Sequence, residues 1–338
     1  MRLENILALT HGKLINTPFV EQFENIVFDA KAVRRGDLFV ADDETMIQEA
    51  VMNGAYGILF DKPTQIQDSE IAWIKVDNLD EALIRVLRFT LIQKPITVFE
   101  CDTITLKLAK QIMTESSFIV LDDDIRSLFK RLSLIESPTT LLFTPSLTPR
   151  DLFTTLQQMP TVAKERIEIV EKTLFETSFL YANLFYERQQ IAPFFIPYLE
   201  RLLTLLVDLK VRFHLRKFLP LDHFAPLFVN KKLEEKEFGS SDRVLIFEPQ
   251  CTIVPDEIHF LETEAPWAQK CYFLPNTAAS QSLLKSEKLQ IEFYNDTAHL
   301  VQMLQERSFH FALIGGSDKT LLHNHIQSTK ESPSLFDF

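Results

Sequence analysis

Glu100, Cys101, Asp102 and Thr103 stand where an apolar, strand-like run, Ile96 to Phe99, meets a run with helical spacing, Thr103 to Met113. Two kinds of chemistry favour such a turn. Backbone N–H groups at a helix start can hold a phosphate, and the same setting can activate a thiolate. A phosphate cradle needs glycine, so that its N–H groups converge on the anion with no Cβ in the way. The chain has seven glycines, and none lies between Gly57 and Gly239. Neither G-x-x-x-x-G-K-[ST] nor G-x-G-x-x-G occurs. Glu100 and Asp102 put negative charge where phosphates would sit; carboxylates there also suit the positive end of a helix dipole. No base can be assigned to Cys101 by spacing, and no Ser-His-Asp, Cys-His or paired-carboxylate site follows from spacing either.

Four further constellations stand out. Thr173 to Phe179, with Tyr186-Glu187-Arg188, places hydroxyls and charges around a possible hairpin: a binding surface, or a hairpin with alternating faces. Lys210, Arg212, His214, Arg216 and Lys217 fall within one alternating stretch. They can meet an anion, or form the solvated face of a strand. His323 and His325 are a close pair, but zinc sites usually draw on more ligands than two; no metal and no cofactor are expected. Leu335-Phe336-Asp337-Phe338 reads as a linear docking peptide or as a terminus folded on its own core.

Composition bounds the class. Of 338 residues, 46% are hydrophobic and 24% charged, ordinary for a folded domain. A net charge of −12 argues against a broad nucleic-acid surface. Cys101, Cys251 and Cys271 are odd in number and widely spaced, which fits a reducing compartment. No signal-peptide pattern and no apolar run of about 18 residues is present, so a cytoplasmic protein without a transmembrane segment is expected.

The elements that must position these groups can be read from periodicity. Residues 3–9 form a short helix, 27–28 and 38–41 strands, and 34–37 a turn. Residues 44–53 are helical, 56–60 and 72–76 strands, and 79–91 an amphipathic helix. From Pro95 a strand–helix alternation follows: strands at 96–99, 118–121 and 140–143, helices at 103–113, 126–135 and 148–159. That alternation predicts a parallel sheet. A hairpin is expected around Ala182-Asn183, a helix at 193–209 and a strand at 211–216. A charged linker runs from Leu233 to Asp242. Beyond it, strands at 244–247, 271–274, 291–294 and 311–314 alternate with helices at 256–264, 278–285 and 297–307. That is a Rossmann-like α/β pattern.

The segment Phe28-Asp29-Ala30-Lys31-Ala32-Val33-Arg34-Arg35-Gly36-Asp37-Leu38-Phe39-Val40-Ala41 resembles the N-terminal signature of the Mur ligases, roughly T-D-S-R-x-[VI]-x-x-G-D-L-F-[VI]-A. It is most similar to that of the ligase adding D-alanyl-D-alanine to the peptidoglycan precursor. Leu3 to Leu14 and Glu49 to Ala55 resemble the flanking family elements. The resemblance implies an α/β, three-part architecture. Its parts are an N-terminal domain over 1–92, a reduced central domain with a parallel sheet over 93–238, a Rossmann-like C-terminal domain over 239–327, and a flexible tail over 328–338.

By position, Asp29, Lys31 and Gly36 fall where the family holds the UDP end of its substrate. The family's serine and arginine are replaced by Ala30 and Lys31, and lysine lacks the forked contact of arginine with phosphate. The family's following loop is replaced by Asp42-Asp43-Glu44. Its ATP loop, T-G-[ST]-N-G-K-T-[ST], falls on Glu100, Cys101, Asp102 and Thr103, without glycines or the catalytic lysine; Lys107 is one turn too late. The resemblance therefore implies a non-catalytic member: a scaffold or regulator of bacterial cell-wall synthesis, acting through a protein partner, with residual UDP-sugar binding. The alternative is an ATP-dependent amide ligase with a rebuilt ATP site.

Overall fold

The computed structural model describes residues 1–215, 217–283 and 290–321. His323, His325, the tail from 328 to 338, Arg216 and the end of the helix expected at 278–285 lie outside them. The chain divides into two compact units: Met1–Leu106 with Thr114–Met159, and Lys107–Met113 with the chain from Pro160 onward.

In chain order the first elements are α1 (Leu3–Thr10), β1 (Lys13–Leu14), β2 (Ile26–Val27), β3 (Leu38–Ala41), α2 (Ile47–Met52), β4 (Gly57–Phe60), β5 (Ala72–Lys75) and α3 (Leu79–Leu91). They are followed by β6 (Ile96–Glu100), α4 (Thr103–Ile112), β7 (Phe118–Leu121), α5 (Ile125–Ser133) and β8 (Thr139–Phe143). One sheet runs β1-β5-β4-β3-β2, with only β1 antiparallel. A second, β6-β8-β7, is wholly parallel.

Helix α3 joins the two sheets of the first unit into one core. Asn78 caps it by accepting from Glu81 N, acidic Asp80 and Glu81 occupy its first turn, and Arg88 its last, each suited to the helix dipole. Its apolar face, Leu79, Leu83, Val86 and Leu87, is buried in a cluster that extends to Phe143 and Phe153. The helix packs against α1 and α5.

The helix expected at 148–159 does not form. Only a 3₁₀ turn, Arg150–Leu152, is present. Beyond it the chain extends along β6, an edge strand: Gln157 N donates to Val98 O at 2.8 Å. Leu152 and Phe153 fix the segment by burial, and the β-branched Thr154-Thr155 favours extension over helix.

The second unit opens with β9 (Ile167–Lys172), β10 (Thr177–Tyr181) and β11 (Leu184–Gln189), an antiparallel sheet of three strands rather than a lone hairpin. Ala182 (φ 50°) and Asn183 (φ 64°) make the two-residue turn between β10 and β11, the pair of positive φ values such a turn requires. Then come α6 (Ile196–Asp208), β12 (Ala225–Val229), β13 (Arg243–Glu248), α7 (Val254–Glu264), β14 (Lys270–Pro275), α8 (Ala278–Leu283), β15 (Ile291–Tyr294), α9 (Thr297–Glu306) and β16 (Phe311–Gly315).

The last sheet runs β12-β13-β16-β14-β15, parallel except for β12. Strand β12 is absent from the sequence reading. The charged run at 233–242 connects it to its neighbour β13, with Leu233 buried. The strand expected at 211–216 is also replaced. Exposure still alternates there, but only Phe213 pairs, with Met113, and His214 N donates to Ile112 O at the end of α4. An extended segment without a neighbouring strand cannot build a ladder. Among the described residues, no helix is long and apolar enough to cross a membrane.

Candidate functional site

Asp29 and Lys31 share one 3₁₀ turn, Ala30–Ala32, which Asp29 caps by accepting from Lys31 N at 3.1 Å. The Lys31 side chain is exposed. Gly36 belongs to the next turn, at φ 101°, where a Cβ would come within 3.0 Å of Glu24. That turn is closed by Asp37, which is buried and accepts from Arg34 N at 2.8 Å and Asn25 Nδ2 at 2.9 Å.

The two carboxylates after β3 are both engaged. Asp43 caps a turn at Thr45 N, whose hydrogen bond holds it below the ordinary carboxylate range. Asp42 receives two hydrogen bonds from the Arg126 guanidinium, which also donates to Asp80 at 2.9 Å. The hydrogen bond to Asp42 pushes the Arg126 pKa up. Arg126, at the start of α5, lies far from Asp42 in sequence, and no motif spacing points to the pair.

At the β6–α4 turn each reactive group is spoken for locally. Glu100 meets Arg150 Nε at 2.8 Å. Asp102 accepts from Thr105 N at 2.7 Å and Thr105 Oγ1 at 2.9 Å, so it caps the helix it precedes. Thr103 Oγ1 lies 3.3 Å from Ser146 Oγ. Burial pushes the Cys101 thiol well above its ordinary range, and the charges of Asp102 and Glu100 add to this. Cys101 is therefore an inert buried thiol rather than an activated one. The three cysteines are unbridged.

A polar cluster in the second unit has no counterpart in the sequence reading. Glu248, the last residue of β13, is fully buried. Its Oε1 lies 2.8 Å from His223 Nδ1 and accepts from Gln250 N at 2.7 Å; its Oε2 accepts from Phe224 N at 3.2 Å. His223 Nε2 lies 3.0 Å from Lys107 Nζ, and Lys107 reaches Asp222 Oδ1 at 2.5 Å.

Lysine can only donate and Glu248 accepts from the other ring nitrogen. The geometry therefore fits a neutral imidazole with its proton on Nδ1. Burial would raise the Asp222 carboxyl, yet the Lys107 ammonium holds it below its ordinary range.

Glu257, on the first turn of α7, is buried beside Glu248 with no N–H or O–H donor to either oxygen among the described residues. Burial, then the Glu248 charge, raises it well above the ordinary glutamate range. Protonated, it can donate to Glu248. The members lie at 107, 222–223, 248 and 257, so no local spacing announces them.

Beside this cluster an open aromatic cleft lies in the same unit, with His223 and Phe224 on its wall. The alternating run at 210–218 keeps Lys210, Arg212, His214 and Lys217 at the surface.

What these elements define is an α/β chain whose sheets are mainly parallel. No family model matches it, and no curated protein does. Among solved structures it is similar to MurF from Acinetobacter baumannii, at 11% identity over 98% of this chain and 99% of that chain, with a TM-score of 0.49. It is similar also to MurF ligase from Thermotoga maritima in complex with ADP, at 12% identity over 91% and 97%, with a TM-score of 0.46. A third is a UDP-N-acetylmuramoyl-L-alanyl-D-glutamate–2,6-diaminopimelate ligase, at 9% identity over 99% and 91%, with a TM-score of 0.34.

Proposed function

We propose that this protein is a non-catalytic relative of the Mur ligases that serves bacterial peptidoglycan synthesis as a scaffold or regulator, through a protein partner. The observation that carries the non-catalytic reading is the β6–α4 turn. Its helix N-terminus is capped by Asp102, Glu100 is held by Arg150, and no glycine or loop lysine is there to cradle a phosphate. ATP does not bind such a turn in the usual manner, because the N–H group it would need already has a carboxylate and a second carboxylate stands beside it.

The peptidoglycan assignment rests on the resemblance of residues 28–41. In this reading the turns at Asp29 and Gly36-Asp37 keep the backbone shape of the signature, and the exposed Lys31 supplies a cation for residual UDP-sugar binding. Arg126, by neutralising Asp42, lowers the repulsion an incoming diphosphate would meet. The domain division at 1–92, 93–238 and 239–327, and a cytoplasmic location, are part of the same proposal.

The test is thermal unfolding of the purified protein with magnesium–ATP, UDP and UDP-N-acetylmuramoyl peptide. A ligand that binds only the native state raises the midpoint by mass action. We expect no rise with ATP, and either a rise with the UDP compounds alone or none at all, in which case the scaffold acts without a nucleotide. A rise with magnesium–ATP would overturn the reading in favour of an ATP-dependent amide ligase. Unchanged precursor pools, peptidoglycan composition and cell shape on deletion of the gene would remove the cell-wall role.

A further inference from the structure

The cleft beside His223 has a lining the proposed function does not use. Phe195 and Phe224 form its buried wall, and Phe238, 54% exposed, stands at its edge. Phe175 ties these rings together, with its centroid 5.7 Å from Phe224 and 6.4 Å from Phe238. Rings at such separations offer both faces and edges to a further flat group.

The polar groups on the lining are few, and most are committed. Glu176 is held by Arg188 at 3.2 Å. Both nitrogens of His223 are engaged, by Glu248 and Lys107. The Gln190 side-chain amide and the Lys319 ammonium make no hydrogen bond among the described residues. Lys319 is half-buried, and among the described residues the charge of Glu235 acts on it. A cation drawn partly out of water beside an apolar wall gains from an anion that arrives with its own apolar body.

We propose that this cleft binds a small aromatic carboxylate, with its ring among Phe175, Phe195, Phe224 and Phe238 and its carboxylate on Lys319. The site is a binding site and not a catalytic one, since the nearest titratable ring, His223, has no free nitrogen to move a proton. It lies within the second unit and owes nothing to nucleotide binding, so it stands or falls independently of the peptidoglycan reading.

Ligand-observed NMR titration of the full chain with 3-phenylpropionate, 3-phenylpropionamide, 3-phenylpropylamine and hexanoate tests it. The aromatic acid should bind about tenfold tighter than its amide, equivalent to ~1.4 kcal/mol, and tighter than hexanoate, while the amine should not bind. Lys319→Met should abolish the preference for acid over amide. Phe238→Ala should weaken acid and amide alike, with unchanged thermal midpoints showing that both variants fold. Equal binding of acid and amide, an undiminished preference in Lys319→Met, or no binding of the aromatic acid would each overturn the proposal.

Discussion

Strands β6 and β13 both end in a glutamate that leads, through a short turn, into a helix, and the two turns have opposite characters. Glu100 sits at the rim, with a partly exposed side chain and an ion pair to Arg150, itself 62% exposed. Glu248 is out of contact with water and is the acceptor for a ring nitrogen and two backbone N–H groups. After β6 the helix has its own side-chain cap, Asp102. After β13 helix α7 begins without one, and Glu257 in its first turn is buried instead. Residue type at the end of a parallel strand thus says little about role. The number of donors and the loss of water decide whether a carboxylate is ornament or structure.

The comparison breaks first at Glu248. Glu248→Ala strands the His223 Nδ1–H and two N–H groups in a dry interior, and each buried donor left without its acceptor costs about 1–3 kcal/mol. Urea denaturation should show that loss, with Glu100→Ala within about 1 kcal/mol of the parent. Similar losses for the two would mean that burial is not what separates them.

Glu257 sharpens the same point through pH. Unfolded, it ionises in the ordinary glutamate range; folded, burial and Glu248 keep it protonated to higher pH. Across the interval between, the unfolded chain has released a proton that the folded chain retains, so stability falls as pH rises and levels off above the folded value. Glu257→Gln, which keeps the donor toward Glu248, should match the parent below the ordinary glutamate range and become progressively more stable than it as pH rises. Equal pH dependence in the two proteins, followed by urea midpoints from pH 4 to pH 8, would show that Glu257 carries no such proton.

How much of this was legible follows the same divide. Local signals carried the first unit: the apolar stripe of Leu79, Leu83, Val86 and Leu87 marks α3 at its observed bounds, and the run Leu38 to Ala41 is β3. The β6–α4 turn was legible because its capping carboxylate sits beside its helix. Strand β12 was not, because five residues with Pro226 inside carry no alternation. Nor was the edge pairing of Gln157 with Val98, since a helix-like spacing cannot reveal that a strand edge is free. The cluster of Lys107, Asp222, His223, Glu248 and Glu257 was invisible for a related reason. Its members come from α4, a loop, a strand end and a helix start, and only the tertiary fold brings them together.

The smaller effects belong to the β6–α4 turn. Asp102→Ala removes a helix cap and should cost about 1 kcal/mol in urea denaturation. Cys101, held as a thiol by burial, should react with Ellman's reagent at pH 8 only as the chain unfolds, read on a background with Cys251 and Cys271 replaced by alanine. Rapid reaction in the folded state would show that the turn opens.

Glu100→Gln gives the smallest effect. It removes the charge but keeps the shape, and the lost ion pair is screened by water at the Arg150 end. Stability should change by no more than about 0.5 kcal/mol and lose little of its value on adding salt. A larger cost would mean that Glu100 is a structural acceptor like Glu248, and the contrast between the two strand ends would disappear. Magnesium–ATP should leave the variant's midpoint where it was, because removing one repelling charge supplies neither glycine nor lysine to the turn. A midpoint that rose only in the variant would identify the Glu100 charge as the element that excludes nucleotide.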